Sequence, residues 1–383
     1  MPRIMLLALF IAAPLGAQEP GRVKLDFTGL VLLNGFYTSD STNNSDLPQF
    51  VQRRSPSGRA VSGLGATVRQ TRLRLLGSAS QVAGGRLDLE LDVDFFGGQQ
   101  PSSGGRTFPV VRIRRAFGKL AWSRFAILAG QEAPPIVELN PSSLGALGLP
   151  SHAASGNLWL WLPQVRVGGA LVERGPTRLS LEAAAIAPNG DAPQGLFLTQ
   201  PDRAERSGRP SLESRLRLEW GEPDLRGELS VGGHLGWLRS NGDTLVTSRA
   251  AAVALVLPLG RYLEFRGEGF IGRAVAGLGG GGIGQNLGPN DEPVRTRGGW
   301  GQLLVRPGAG WELGGSWGLD DPEDDDLDAA TGRRRNEVWA AEAQWRRRPL
   351  VLGAEFRRLR TRYGGGAGTV EASHVNLAAG VEF

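Results

Sequence analysis

Cysteine is absent from the 383 residues, and the sequence has only three histidines and two methionines. A chain without cysteine forms no disulfide framework and offers no thiolate ligands to a metal. Long apolar runs are missing after the N-terminus, since the best later stretch, 250–259, is much shorter than the ~20 residues of a membrane-spanning helix. The 57 glycines and 24 prolines also disfavour long helices.

The N-terminus has the pattern of a secretory signal peptide. Arg3 precedes an apolar run from Ile4 to Ala13, and small residues end at Ala17. This order predicts a signal peptide over 1–17 and an exported domain over 18–383. The formal net charge is only +5, and the arginines are interleaved with acidic residues, so the sequence predicts no nucleic-acid partner.

Apolar and polar residues alternate along much of the chain. In LDLELDVDF, residues 87–95, leucine, valine and phenylalanine fall at every second position and carboxylates fall between them. Successive side chains of a strand point to opposite faces, so this segment predicts a strand with one apolar and one charged face. The same period recurs in TRLRLL, LESRLRLEW, RYLEFRGEGF, VWAAEAQWRR and the C-terminal segment.

The pattern predicts an all-β fold, a transmembrane antiparallel β-barrel of about 16 strands. Short and long links alternate, as expected for a barrel with short periplasmic turns and longer external loops. Closure leaves no strand edge unpaired, which a lipid environment requires. The predicted strands lie near 23–37, 67–79, 86–96, 108–120, 124–131, 157–172, 177–187, 212–220, 224–238, 244–257, 260–273, 296–306, 309–319, 334–346, 349–362 and 370–383.

Nine tryptophans fall near the ends of these predicted strands. Amphipathic rings favour the headgroup level of a membrane, so two aromatic belts are expected. The predicted periplasmic belt contains Trp122, Trp220, Trp311 and Trp345. The predicted external belt contains Trp159, Trp237, Trp300, Trp317 and Trp339.

Charged residues on the polar strand faces are expected to point into the barrel. They form either an ion-pair lattice that braces the wall or a transverse field that filters charged solutes, and both roles are compatible. The predicted pore-lining residues are Arg72, Arg74, Asp88, Glu90, Asp92, Asp94, Arg112, Arg114, Arg166, Arg215, Arg217, Arg266 and Arg357.

Three predicted loops have unusual compositions. The segment 132–156 is apolar for a surface loop and either narrows the channel or packs against another subunit or the external loops. The acidic run 319–328 favours a solvated tip over a divalent-cation site, because it lacks the spacing of an EF-hand. The glycine-rich run 277–284 lacks the lysine and helix of a phosphate loop and is interpreted as a mobile external loop.

Catalysis has little support in the sequence. His152, His234 and His374 are the only histidines, there is no G-x-S-x-G element, and the sequence places no serine beside a base. We therefore expect no enzymatic activity, no cofactor and no metal site.

The segment 87–131 resembles the DcaP-like porins, in which an acidic strand ending in Phe-Gly precedes an arginine-rich strand and a Gly-Gln strand end. The matching residues are Asp94, Phe95, Phe96, Gly97, Arg112, Arg114, Arg115, Phe117, Gly118, Gly130 and Gln131. The resemblance implies a sixteen-stranded homotrimeric channel for small anionic solutes. Phe383 similarly resembles the assembly signal that the barrel-insertion machinery reads in outer-membrane proteins.

These observations together predict a porin of the bacterial outer membrane, surrounded by lipid and lipopolysaccharide. It would form a water-filled channel for passive diffusion of small hydrophilic, mainly anionic, solutes. Two alternatives remain open at this point: a structural or assembly barrel with little conductance, and an outer-membrane hydrolase.

Overall fold

The computed structural model describes residues 23–54, 58–98, 109–190 and 200–383. The predicted signal peptide, 1–17, lies outside these ranges. Within them, no helix combines the length and the hydrophobicity needed to cross a membrane.

The described residues form seventeen strands and a few single 3₁₀ turns. The strands are β1 (Lys24–Thr38), β2 (Gly63–Thr67), β3 (Arg72–Val82), β4 (Gly85–Asp94), β5 (Arg112–Ala121), β6 (Phe125–Glu132), β7 (Leu162–Arg174), β8 (Thr177–Ile186), β9 (Ser211–Trp220), β10 (Gly227–Arg239), β11 (Leu245–Pro258), β12 (Leu263–Arg273), β13 (Arg295–Gly308), β14 (Trp311–Pro322), β15 (Arg333–Arg347), β16 (Leu350–Tyr363) and β17 (Thr369–Glu382).

The strands close into one antiparallel barrel with sixteen positions in its wall. From β3 to β17 each strand pairs with the next along the chain, and β17 pairs with β1 from Leu30 to Thr38 to close the ring. The short β2 pairs with the end of β1 and β3 pairs with its beginning, so these two strands share one position. The predicted all-β barrel of about 16 strands is confirmed.

The wall position shared by β2 and β3 is interrupted where the sequence predicted one continuous strand, 67–79. Between the two strands, Arg69 turns aside and binds Asp46 through a buried ion pair with an N–O distance of 2.6 Å. Next to it, the Gln70 amide hydrogen-bonds backbone groups of the segment that follows β6. At the break, the Thr71 hydroxyl accepts the Leu32 N–H of β1 at 3.1 Å, so this backbone donor stays paired.

Side chains alternate between a lipid-like exterior and a polar interior. On β1, Val31 is 52% exposed while its neighbour Leu32 is fully buried. Exposed large hydrophobic side chains recur on the outward faces of most strands, whereas buried arginines, carboxylates and amides face inward. A water-soluble domain has the opposite arrangement, so the burial pattern is that of a barrel with apolar surroundings.

The tryptophan prediction is only partly confirmed. Trp122, Trp220, Trp311 and Trp345 lie at the ends of strands beside the short turns, and Trp237 lies near the other end of β10, whereas Trp317 and Trp339 lie near the middle of β14 and β15. Trp159 and Trp300, however, are buried inside the barrel, and Trp300 donates its indole N–H to Glu268 at 3.1 Å. Its position has the same parity as inward Gln302, which explains why it cannot join an outer belt.

Candidate functional site: the barrel interior and its inserted loop

The segment between β6 and β7, residues 133–161, enters the barrel; we call it the inner loop. Its side chains Ile136, Val137 and Leu158 pack against Phe270 and small residues of β11. Farther along the inner loop, Leu144 packs against Leu32 of β1 and inward residues of β16 and β17. Of the two interpretations of this loop, the one that folds it into the barrel is therefore confirmed.

Backbone groups of the inner loop are held by side chains of the wall. The Gln70 amide donates to the Gly145 carbonyl at 2.9 Å and its oxygen accepts from the Leu147 N–H at 2.7 Å. Arg112 and Arg114 donate to the carbonyls of Gly148 and Leu147. These buried hydrogen bonds fix the path of the inner loop, because a polar backbone group left unpaired in the interior is costly.

Serines of the inner loop contact the far side of the barrel. The Ser142 N–H donates to Gln302 at 2.9 Å, and its hydroxyl donates to Glu312 at 2.5 Å. Ser143 likewise donates to Glu355, while Ser151 accepts from Arg357 at 2.9 Å. The inner loop therefore spans the lumen from β3 and β5 to β13–β16.

A carboxylate of the inner loop gathers arginines from two strands. Glu138 forms ion pairs with Arg166 of β7 and with Arg215 and Arg217 of β9, the last two at N–O distances of 2.7 Å. Glu182 of β8 also binds Arg215 at 2.6 Å. Three of the predicted pore-lining arginines are thus brought together around one loop residue that the sequence did not single out.

A second charged cluster lies on β3, β4 and β5. Arg72 pairs with Asp92, and Arg112 pairs with Asp94 at 2.6 Å. One step along β4, Glu90 pairs with Arg74 at 2.9 Å. Buried Arg114 lies 3.3 Å from Asp94. The predicted cross-strand ion-pair lattice is therefore present on these three strands.

Arg115 also belongs to this cluster, although strict alternation would place it outside with Ile113. A β-bulge between the pairs Asp92–Arg115 and Val93–Ile113 turns Arg115 inward. There it pairs with Glu90 at 3.0 Å and with Glu132. The only signal of this site in the sequence was the pair of adjacent arginines, Arg114 and Arg115. A regular strand cannot point two adjacent side chains inward, so both can line the interior only where a bulge interrupts the strand.

The remaining predicted residues lie apart from these clusters. Asp88 pairs with Arg86 at 2.9 Å near the turn that joins β3 and β4. Arg266 binds Glu264 near the short turn before β12. Arg357 is buried against Glu355 and the inner loop, so it is enclosed by protein on all sides.

The barrel interior contains two charged cavities, of which the first borders the inner loop. One has a volume of about 420 Å³ and is lined by Arg72, Arg114, Arg115 and Arg346, but by only two carboxylates, Glu132 and Glu138. The other, about 480 Å³, lies toward the short turns and is lined by six basic residues and three glutamates. Both cavities therefore have an excess of positive charge in their walls.

A serine and a base do lie side by side in the interior, which corrects the sequence analysis. His234 lies 2.8 Å from Glu213 through Nδ1 and 3.1 Å from the Ser248 hydroxyl through Nε2. The three residues resemble a Ser-His-acid triad. However, the Ser248 hydroxyl donates to the Ala274 carbonyl at 2.8 Å, and the adjoining cavity of about 10 Å³ is no larger than one water needs.

This arrangement instead anchors the inner loop. Glu213 accepts the Ile136 N–H at 2.9 Å, so the same carboxylate joins the loop to His234. The Ile136 carbonyl approaches Gly232 so closely that a Cβ there would lie 2.3 Å from the oxygen. His152 is likewise structural, since it lies 3.0 Å from the Ser316 hydroxyl and stacks on Trp300.

The interpretations of the acidic and glycine-rich runs need correction. Within 319–328, Asp320 is fully buried and accepts the N–H groups of Gly282 and Ile283. Asp321, Asp324 and Asp326 bind separate arginines, while Asp325 and Asp328 are exposed. The glycine-rich run is packed, with Leu278 and Ile283 buried. Among the described residues, no three His, Asp or Glu side chains converge as metal ligands.

Comparisons with known proteins agree with this architecture. No family model and no curated protein matches the chain. Among solved structures, the outer-membrane channel DcaP of Acinetobacter baumannii aligns with a TM-score of 0.70 and 17% identity over 94% of this chain and 97% of its own.

Two further structures extend the comparison. An anion-selective porin from Comamonas acidovorans has a TM-score of 0.60 and 12% identity over 94% of this chain and 100% of its own. The trimer form of OmpT from Vibrio cholerae has a TM-score of 0.53 and 9% identity over 94% and 99%. The fold implied by the sequence resemblance is confirmed: this chain has the sixteen-stranded architecture of bacterial outer-membrane porins.

Proposed function

We propose that this protein is a porin of the bacterial outer membrane, through which small hydrophilic solutes diffuse passively. The observation that carries the proposal is a closed barrel with an apolar exterior whose inner loop crosses the lumen beside charged cavities. The inner loop narrows the channel, and the wall residues that hold the loop fix the size and charge of the remaining space. The exported chain would reach this membrane through the signal peptide predicted over 1–17.

Anions are the preferred solutes. The predicted pore-lining residues Arg72 and Arg114, together with Arg115, border the cavity of about 420 Å³ next to the inner loop. A low-dielectric wall with an excess of one charge raises the local concentration of counter-ions and favours their entry. The neighbouring carboxylates hold these arginines in place and leave the cavity walls with a positive excess.

The two alternatives make different use of the same interior. A structural barrel is favoured by the number of contacts that the inner loop makes with the wall, and it would conduct little current. A hydrolase would use Ser248, His234 and Glu213, but the surrounding cavity leaves no room for a substrate. The porin accounts for both the inner loop and the positive cavities.

Three partners follow from this proposal. Trimerisation is supported by the sequence resemblance and by the trimer form of the structurally similar OmpT. Recognition by the barrel-insertion machinery is supported by Phe383, whose backbone pairs with Gly29 and whose ring lies 5.6 Å from that of Phe27. Outer-membrane lipid and lipopolysaccharide would surround the apolar exterior.

Single-channel recording in planar lipid bilayers tests the proposal. We expect discrete conductance steps that increase with salt concentration, and a reversal potential in a potassium chloride gradient that indicates preference for chloride. A barrel that inserts but passes no current would support the structural alternative. Hydrolysis of ester substrates that is lost in the Ser248→Ala variant would support the enzyme.

A further inference from the structure

The carboxylate of Glu138 occupies a site built by three arginine side chains, which we call the three-arginine site. Its Oε1 atom accepts from Arg166, and its Oε2 atom lies 2.7 Å from Nη2 of Arg215 and of Arg217. Both oxygens of the carboxylate are therefore bound by guanidinium groups. Arginines offer the same arrangement to a free carboxylate or phosphate, because their N–H donors match the spacing of two oxygens in an oxyanion.

Neighbouring wall residues hold two of these arginines without help from Glu138. Arg166 donates from Nε to the Gln164 amide oxygen at 3.1 Å, and Arg215 donates from Nε to Glu182 at 3.1 Å. Their side chains are only 7% and 1% exposed. Loss of one partner leaves a buried charge uncompensated, which is costly unless another anion replaces that partner. The three-arginine site would therefore keep its position if Glu138 left it, and it would then attract a second oxyanion.

The ion pairs of Glu138 lie between the two charged cavities of the interior. Glu138 borders the cavity of about 420 Å³, whereas Arg166 and Arg217 border the cavity of about 480 Å³. The direct path from one cavity to the other therefore runs past these ion pairs. The Glu138 side chain is 28% exposed, and the first cavity leaves it room to rotate away from the arginines.

The backbone of the inner loop next to Glu138 is fixed. Val137 is buried in a cluster that includes Phe270, and the Ile136 N–H donates to Glu213 at 2.9 Å. Departure of the Glu138 carboxylate therefore requires rotation about its side-chain bonds only. Such a rotation is much faster than the movement of a packed loop.

We propose that the three-arginine site is a transfer site for small oxyanions, and that Glu138 is its resident competing ligand. An entering oxyanion exchanges with the Glu138 carboxylate, which rotates into the first cavity and returns when the solute leaves. This competition keeps the binding of the solute weak, and conduction requires binding that is weak enough for the solute to leave. The inference rests on the proposed passage of anions and assigns to one residue the control of how tightly they are held.

Phosphorus NMR of inorganic phosphate, titrated with the full chain in a maltoside detergent, tests the inference. Glu138→Gln keeps the size of the side chain but removes its charge, so the three-arginine site loses its competitor. We expect phosphate to bind at least about tenfold more tightly to this variant than to the unmodified chain, because a site that is closed about nine-tenths of the time loses about that factor in apparent affinity. Glu138→Asp, a shorter competitor that keeps its charge, should give a smaller gain.

Two further variants control for added positive charge and for the place of binding. Glu132→Gln removes a carboxylate that pairs with Arg115 and borders the same cavity as Glu138, and it should bind phosphate as the unmodified chain does. Arg217→Gln, added to Glu138→Gln, should abolish most of the gained affinity. Unchanged affinity in Glu138→Gln, an equal gain in Glu132→Gln, or a gain that survives Arg217→Gln would overturn the inference.

Conductance separates this inference from the proposed function. In planar bilayers, phosphate should reduce the chloride current through Glu138→Gln at concentrations about tenfold lower than for the unmodified chain. The binding measurement itself needs no current. If phosphate affinities follow the expected order but no variant conducts, the three-arginine site stands and the porin is contradicted. If every variant conducts but the affinities do not follow that order, the porin stands and the role of Glu138 is contradicted.

Discussion

Arg357 and Arg358 are neighbours on β16 and face opposite sides of the same wall. Arg357 is buried and is bound by Glu355 and by Ser151 of the inner loop. Arg358 is half exposed and shares its carboxylate with Arg360. The contrast extends to other arginines: inward Arg114, Arg166 and Arg215 are buried, whereas the outward ion-paired arginines Arg335, Arg360 and Arg362 stay 41% to 49% exposed.

The largest expected effect comes from releasing the inner loop from the inward residues. Replacing residues 138–147 by a Gly-Ser segment of equal length removes Glu138, Ser142, Ser143 and Leu144, which join the loop to the wall. We expect the single-channel conductance to rise several-fold, because the segment would no longer be held across the lumen. A matched control replaces residues 364–368, in the turn between β16 and β17, and should leave conductance unchanged.

Ion selectivity sharpens the comparison between inner and outer arginines. Arg72→Gln/Arg115→Gln removes two charges that border the lumen cavity, while Arg360→Gln/Arg362→Gln removes two from the exterior. We expect the reversal potential in a potassium chloride gradient to shift toward cations only in the first variant. An equal shift in both would mean that total charge, and not the lumen wall, sets selectivity.

Stability should also depend on which face a residue occupies. Glu213→Ala leaves the Ile136 N–H and His234 without their buried acceptor, which we expect to cost about 2–4 kcal/mol in the free energy of unfolding. Ser214→Ala changes the next residue, on the outward face, and should cost under about 0.5 kcal/mol. Urea unfolding of the refolded barrel in detergent micelles measures both values. Similar losses in the two variants would contradict the anchoring role of Glu213.

The smallest effect concerns an outward arginine and a loop. Hydrogen bonds and charge from Arg295 hold the pKa of Asp326, in the loop after β14, below its usual value of 3.8, although burial opposes the shift. A lowered pKa stabilises the folded loop above the unfolded pKa, and this stabilisation is lost as the pH falls through the folded value. Hydrogen exchange over 323–332, corrected for intrinsic rates, should therefore increase below about pH 3.8.

The variant Asp326→Asn provides the control for this pH dependence. It should show faster exchange over the same segment already at pH 6, and little further change on acidification. Exchange that rises equally with acid in both proteins would show that another group controls the loop.

The faces of the strands could be predicted from the sequence, because lipid outside and polar groups inside impose a period of two. Trp300 could have been assigned correctly by the same rule, since it shares its parity with inward Gln302. Arg115 could not, because the β-bulge that turns it inward depends on pairing with β4 and is not encoded by alternation alone.

The interior contacts could not be predicted because they join residues far apart in the chain. Gln70 binds Gly145, and Asn336 binds Ala154 across 182 residues. The alignment of Glu213 with His234 depends on the register between β9 and β10. The composition of segment 132–156 showed that it is too apolar for an ordinary surface loop. Its position inside the barrel, however, depends on inward side chains of distant strands, which the composition does not reveal.

The most direct test of a water-filled lumen uses the absence of native cysteine. Arg72→Cys places one thiol beside the lumen cavity, and Leu75→Cys places one on the outward face of the same strand. A negatively charged, membrane-impermeant thiol reagent should react with the first variant in planar bilayers and reduce its current, and it should leave the second unaffected. A current that is unchanged in Arg72→Cys but falls in Leu75→Cys would contradict the assignment of inner and outer faces on which the porin rests.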